Sequence, residues 1–184
     1  MAPPRGSGRR LTAEDWIQAG FKLLADEGPN ALRIGRLCEL LEVTKGSFYW
    51  HFTDMKAYRA SLAAAWIGLH EERRRRFESM RSADPRERLA VMMQALMQPD
   101  HWALERAMRA MALTDTSVLA SVQRSEGSVL GAVRQVFVDY GFTEDEADLR
   151  STVLLATGVG LLHEASSNHD GPMREHIVDF MLRR

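Results

Sequence analysis

The segment Thr44-Lys45-Gly46-Ser47-Phe48-Tyr49-Trp50-His51-Phe52 constrains this chain more than any other. It places a polar cap, a basic residue, two small residues and a dense group of aromatics within roughly two helical turns. Tyr49, Trp50 and His51 point in different directions on a helix, so an ordinary core has little use for all three. A helix lying in a DNA groove uses every face: some side chains meet phosphates and bases, while others anchor it from behind. Phe48 and Phe52 share one face at i and i+4 and suit the anchoring role. The competing reading is a short bundle helix whose aromatics are plain surface and core.

What surrounds this segment reads as helix throughout. Thr12 with Asp15 forms a capping-box pattern, and Trp16, Ile17, Gly20, Phe21 and Leu24 repeat on one face until Gly28-Pro29 ends the helix. A second short helix is expected from Ile34 to Leu41 with Leu37, Cys38 and Leu41 inward, and then a tight turn at Glu42-Val43. Thr44 caps the third helix. Three short helices with a turn of this length between the last two make a helix-turn-helix. Asp54 caps a long helix expected to reach about Met80, and further helices are expected at 85–97, 101–113, 117–140, 144–166 and 173–183. No segment alternates with period two for long enough to be a strand, so the fold class is all-α.

At 184 residues the chain can bury one or two cores. Its net charge of −1 excludes a uniformly basic nucleic-acid coat. Residues 1–59 hold nine Lys/Arg against seven Asp/Glu, and residues 60–184 hold fifteen against eighteen, which permits a DNA-binding N-terminal part without requiring one. Residues 1–10, rich in Pro, Gly and Arg, read as a flexible basic arm without the apolar stretch of a signal peptide. The apolar run Val153–Leu162 is too short to span a bilayer. Cys38 is the sole cysteine and reads as a small core residue. A cytoplasmic protein with no cofactor and no membrane partner is expected.

In the DNA reading, the Thr44 hydroxyl and the backbone N–H groups of the helix start can meet a phosphate. Lys45 reaches a guanine edge or a phosphate, and Gly46 lets backbone approach DNA closely. Ser47 and Trp50 face base edges or a thymine methyl, while Tyr49 and His51 suit phosphates. Residues from about Trp16 to Tyr58 resemble the N-terminal domain of the TetR (tetracycline-repressor-type) family of bacterial transcription regulators. The resemblance rests on Glu27-Gly28, Ala31-Leu32, Leu37-Cys38 and above all Val43 through Phe52. It implies a DNA-binding domain at 11–57 and a helical ligand-binding and dimerisation domain at 58–184. Three positions depart from the family pattern: Arg33 stands where a threonine usually caps the second helix, Glu42 where the turn usually has glycine, and Met55 where a basic residue usually grips phosphate. Arg33 and Lys56 are counted among the expected DNA contacts, Lys56 standing in for Met55.

For the C-terminal part the resemblance implies a pocket for a small inducer. Met92, Met93, Met97, Trp102, Met108 and Met111 concentrate soft apolar groups on two successive helices, which suits a pocket for an apolar ligand and equally suits plain core. Arg106, His163 and His101 are candidate polar handles. Thr152, Ala156 and Gly160 form a smooth stripe flanked by leucines; with Ile177, Phe180 and Met181 it is the candidate dimer face, an intramolecular packing role being the alternative. The run Arg73–Arg76 reads as a solvated, paired face, with Glu71–Arg75 and Glu72–Arg76 at i,i+4. His163, Glu164, His169 and His176 fit no metal-ligand spacing. The expected function is a homodimeric regulator, a repressor released from a palindromic DNA operator by a small apolar molecule. The alternatives are a helical ligand-binding protein with weakened or lost DNA binding, and a small helical enzyme, for which no nucleophile–base pairing is recognisable.

Overall fold

The computed structural model describes residues 11–96, 99–162 and 171–183. Met97, His163 and the basic arm at 1–10 lie outside them. The described chain runs α1 Ala13–Glu27, a 3-10 turn Pro29–Ala31, α2 Ile34–Leu41, α3 Lys45–His51, α4 Met55–Ser79, α5 Pro85–Leu96, α6 Pro99–Ala112, α7 Thr116–Tyr140, α8 Glu144–Leu161 and α9 Gly171–Met181. Helix starts follow local chemistry. Thr12 and Asp15 form a reciprocal capping box, with Thr12 N donating to Asp15 Oδ2 at 2.7 Å, and Thr143 with Glu146 repeats the device on α8. The Asp54 carboxylate accepts from Ala57 N at 2.7 Å, and Asp115 accepts from the N–H groups of Ser117 and Val118.

Two apolar cores share the helices. The first joins α1, α2 and α3 to the N-terminal half of α4, and reaches Met108 and Met111 on α6 and Val118 and Val122 on α7. The second gathers α5, α8, α9 and the C-terminal half of α7, with Trp102 from the start of α6. Helix α7 serves both because its 25 residues reach about 37 Å, roughly the span of a small domain.

Helix α4 crosses α1 closely at Gly20. A Cβ at that position would stand 2.0 Å from the Tyr58 hydroxyl and 2.8 Å from Leu62 Cδ1. The missing side chain lets Tyr58 donate to the Trp16 carbonyl at 2.8 Å inside the first core. Burial pushes the Tyr58 phenol far above its ordinary range, so it remains a donor. No described helix is long and apolar enough to cross a membrane.

The arginine run on α4 divides instead of forming one solvated face. Arg74 is the principal partner of both Glu71 and Glu78, while Arg75 reaches Glu71 only at 3.8 Å. Arg73 is half-buried; desolvation lowers its guanidinium pKa, partly offset by the Glu105 carboxylate.

Candidate nucleic-acid interface and cavity

The turn between α2 and α3 sets the orientation of α3. Glu42 closes α2 in the left-handed region at φ 55, the one non-glycine residue with positive φ among those described. Its N–H donates to the Glu39 carbonyl at 3.2 Å, and Val43 N reaches back to the Cys38 carbonyl at 3.0 Å. These bonds satisfy the last carbonyls of α2, which is the usual work of a glycine at this place. Arg33 occupies the N-cap of α2 without a side-chain cap; it is exposed, and its Nε donates to the Asn30 carbonyl at 2.9 Å.

Phe48 is fully buried and meets Trp16 edge-on, Phe52 and Tyr58, with ring centroids 5.4, 5.4 and 5.6 Å away. Phe52 stacks edge-on against Tyr58 at 5.0 Å. The rear face of α3 is thus an aromatic anchor, and such pairs add about 0.5–1.5 kcal/mol each beyond burial. The opposite face is open: Trp50 is 72% exposed and Tyr49 56%. Thr44, Lys45 and Gly46 are also exposed at the helix start, while Ser47 and His51 are half-buried. Thr44 stands at the N-cap, but its side chain makes no capping bond, so the hydroxyl is not spent on the helix. Lys56 is exposed in the first turn of α4, whereas Met55 packs against the first core.

A cavity of about 80 Å³ lies in the body, bounded by α4, α5, α6, α7, α8 and α9. Met93 and Trp102 line it, together with Met92. The other expected pocket residues divide by place. Met108 and Met111 pack into the first core, on the face of α6 turned to α1. Arg106 donates from Nη1 to the Leu162 carbonyl at 2.8 Å, tying α6 to the end of α8.

One end of the cavity carries a polar cluster not anticipated from sequence. Glu105, almost wholly buried, accepts from Trp66 Nε1 at 3.1 Å, lies 2.8 Å from His70 Nε2, and accepts from Arg109 Nη1 at 2.5 Å. Arg109 Nη2 continues to Glu126 at 3.1 Å. A buried carboxylate is tolerable only when its lone pairs are filled in this way. The signal was in the spacing: Glu105 falls three residues after Trp102 and three before Met108, on the buried stripe of α6. The cluster ties α4 to α6 and, through Arg109, to α7.

The faces expected to pair two copies lie open. On α8, Thr152, Ala156 and Gly160 are exposed, as are Leu149 and Val153, and a Cβ at Gly158 or Gly160 would meet nothing within 4 Å. On α9, Phe180 is 67% exposed and Met173 is also open, whereas Met181 is buried in the second core and Ile177 is half-buried.

Residues 17–57 match the family described as bacterial regulatory proteins, tetR family. A transcriptional regulator from Rhodococcus sp. Rha1 is similar over 94% of both chains, with a TM-score of 0.77 at 21% identity. A TetR transcriptional regulator from Legionella pneumophila is similar over 95% of this chain and 97% of its own, with a TM-score of 0.78 at 12% identity. A regulator from Saccharomonospora viridis, solved in complex with choline, covers 92% of both chains with a TM-score of 0.69 at 17% identity. No curated protein matches the chain in sequence.

Proposed function

We propose, on the premise that this chain has the TetR-family transcriptional-regulator fold, that it is a homodimeric, ligand-responsive DNA-binding regulator acting as a repressor. The observation that carries this reading is the two-sided α3. Its rear is an aromatic anchor in the first core, and its front exposes a tryptophan, a tyrosine, a lysine and an uncommitted threonine hydroxyl at a helix start. An exposed tryptophan beside a cation is costly decoration for a solvent face but serves a groove-reading helix. Lys45 and Trp50 read bases, while Thr44, Tyr49, His51 and Lys56 hold phosphates; Gly46 and Ser47 keep the helix start slim enough for close approach, and Arg33 adds a cation at the head of α2.

Two copies joined through the open faces of α8 and α9 would set their α3 helices into successive major grooves, about 34 Å apart, on a roughly palindromic site. Open space at the Cβ position of Gly160 supports a partner helix there, because nothing among the described residues requires it to be small; Gly158 is equally open but also borders the cavity. A ligand in the cavity borders Glu105, which holds Trp66 and His70 of α4. Helix α4 also anchors the reading head through Tyr58 and the Trp16 carbonyl. A ligand that favours a different seat for α4 shifts the spacing of the two heads, and DNA must then weaken ligand binding by the same factor. That the Saccharomonospora viridis neighbour was solved with choline bound supports a small-molecule ligand for this chain as well.

The test is a gel-shift with DNA flanking the protein's own gene, comparing the native chain with a Lys45→Ala, Tyr49→Ala double variant. Sequence-selective binding that the double variant loses supports the reading; binding indifferent to sequence and to the double variant overturns it. A second reading, a helical ligand-binding protein with weakened DNA contacts, is favoured by Met55, whose side chain turns to the core where a phosphate-gripping cation is expected. Ligand binding without any operator binding would select it.

A further inference from the structure

Two further spaces lie beside the cavity, on the side of α4 and α7. A groove of about 370 Å³ runs between the C-terminal end of α4, the start of α5 and the middle of α7. A narrow space of about 20 Å³ lies between groove and cavity. His70, Ser125 and Val129 border both the cavity and this neck, Arg74, Phe77 and Ser128 border both the neck and the groove, and Met92 borders all three. The three spaces are therefore neighbours separated by shared side chains, with the flexible methionine Met92 standing between them. On α7 the groove is lined by Gly127 and Gly131, one turn apart, where a Cβ would meet nothing within 4 Å.

Charge differs across these spaces. The groove is bordered by Arg74, Arg81 and Arg88 but by a single carboxylate, Glu78. Arg88 is held at 2.5 Å by Asp139, and Arg74 is engaged by Glu71 as well as Glu78. Arg81 is the least compensated: its side chain is 68% exposed, and its closest carboxylate, the shared Glu78, is 3.9 Å away. At the inner end the charges are already matched, Glu105 and Glu126 both bound to Arg109. The walls between are chiefly apolar. A charged group carried into the cavity would lose its water without finding a free partner. An anionic group left at the mouth would meet guanidinium donors suited to a carboxylate.

We propose that the effector is an amphipathic monoanion, a carboxylic acid with an aliphatic or aryl-aliphatic tail. It enters through this groove, leaves its carboxylate at Arg81, and passes its tail by Met92 into the cavity. The proposal rests on reading the cavity as the effector site.

Calorimetric titration of the full chain without DNA tests it, with octanoate, 1-octanol and octylammonium as probes sharing one apolar tail. Octanoate is expected to bind tighter than either of the others by roughly fivefold, the size of one partly exposed ion pair. Arg81→Glu should erase that margin and leave 1-octanol unchanged; Arg81→Gln repeats the measurement without adding a charge. Gly131→Leu, which projects a side chain into the groove from an exposed helical position, should weaken all three. The proposal is overturned if 1-octanol or octylammonium matches octanoate, if octanoate ignores the Arg81 variants or Gly131→Leu, or if none of the probes binds. Because no DNA is present, such a failure leaves the gel-shift result untouched, so the two readings fail separately.

Discussion

Glu42 and Gly20 show how much a single side chain, present or absent, decides in the seating of α3 and α4. Glu42 holds a left-handed conformation at φ 55, which costs an L-residue about 1–2 kcal/mol. Glycine would remove that strain but add roughly 0.5–1 kcal/mol of unfolded-state entropy. Strain is the larger effect, so Glu42→Gly should stabilise the fold by about 0.5–1 kcal/mol in urea unfolding. An equal or lower midpoint would show that the αL seat is unstrained. Gly20 has the opposite sensitivity. Gly20→Ala drives a methyl into the Tyr58 hydroxyl, and overpacking plus a lost buried hydrogen bond should cost about 2–4 kcal/mol. Combining it with Tyr58→Phe should recover part of that loss; strict additivity of the two would disprove the contact. The substitution of glutamate for a turn glycine was legible in the sequence, because αL turns leave a local signature. The demand for glycine at position 20 was not, because it comes from Tyr58, which is remote in sequence.

Among the elements, α4 and α7 carry the couplings. Asp115 caps α7, and the Ser117 hydroxyl, followed by the Ser117 and Val118 N–H groups, outweighs burial and holds its carboxyl below the usual range. A depressed carboxyl stabilises the fold above its ordinary pKa, near about 3.9, and that contribution drains away as pH falls through the lower folded value. Asp115→Ala should therefore cost about 1 kcal/mol at neutral pH. Between about pH 5 and 3 the variant should lose less stability than the native chain. Parallel pH–stability curves for the two would remove this role. For α4, the caps and the glutamate–arginine spacing were readable, but the partner choice was not. Arg74, which borders the groove beside α7, takes Glu71 and Glu78, and nothing in α4 alone says which side α7 covers.

At the scale of the whole molecule, the open faces of α8 and α9 are the strongest demand for a partner. Leu149, Val153 and Phe180 stand exposed on helices whose opposite faces build the second core. Leu149→Glu with Phe180→Glu should convert a dimer to a monomer in sedimentation without unfolding it, and should abolish palindrome-dependent DNA binding while leaving weak half-site binding. A native chain that is monomeric at micromolar concentration would end the two-site model. The smooth stripe at Thr152, Ala156 and Gly160 was visible as a spacing. Its exposure was decided by the fold, since the same stripe could have packed within one chain.

The sequence by itself determined the helices, the caps at Thr12 and Asp54 and the two-sided character of α3, whereas the capping bond expected of Thr44 is not made. These follow from signals acting over three or four residues: cap side chains, Gly-Pro breaks and the i, i+4 spacing of Phe48 and Phe52. Only the tertiary structure decided which methionines border the cavity, that Met108 and Met111 belong to the other core, and that Trp66 and His70 of α4 are the groups Glu105 meets. Those outcomes depend on which helices cross and at what depth. That geometry is set jointly by contacts between residues far apart in the chain, so no local pattern contains it.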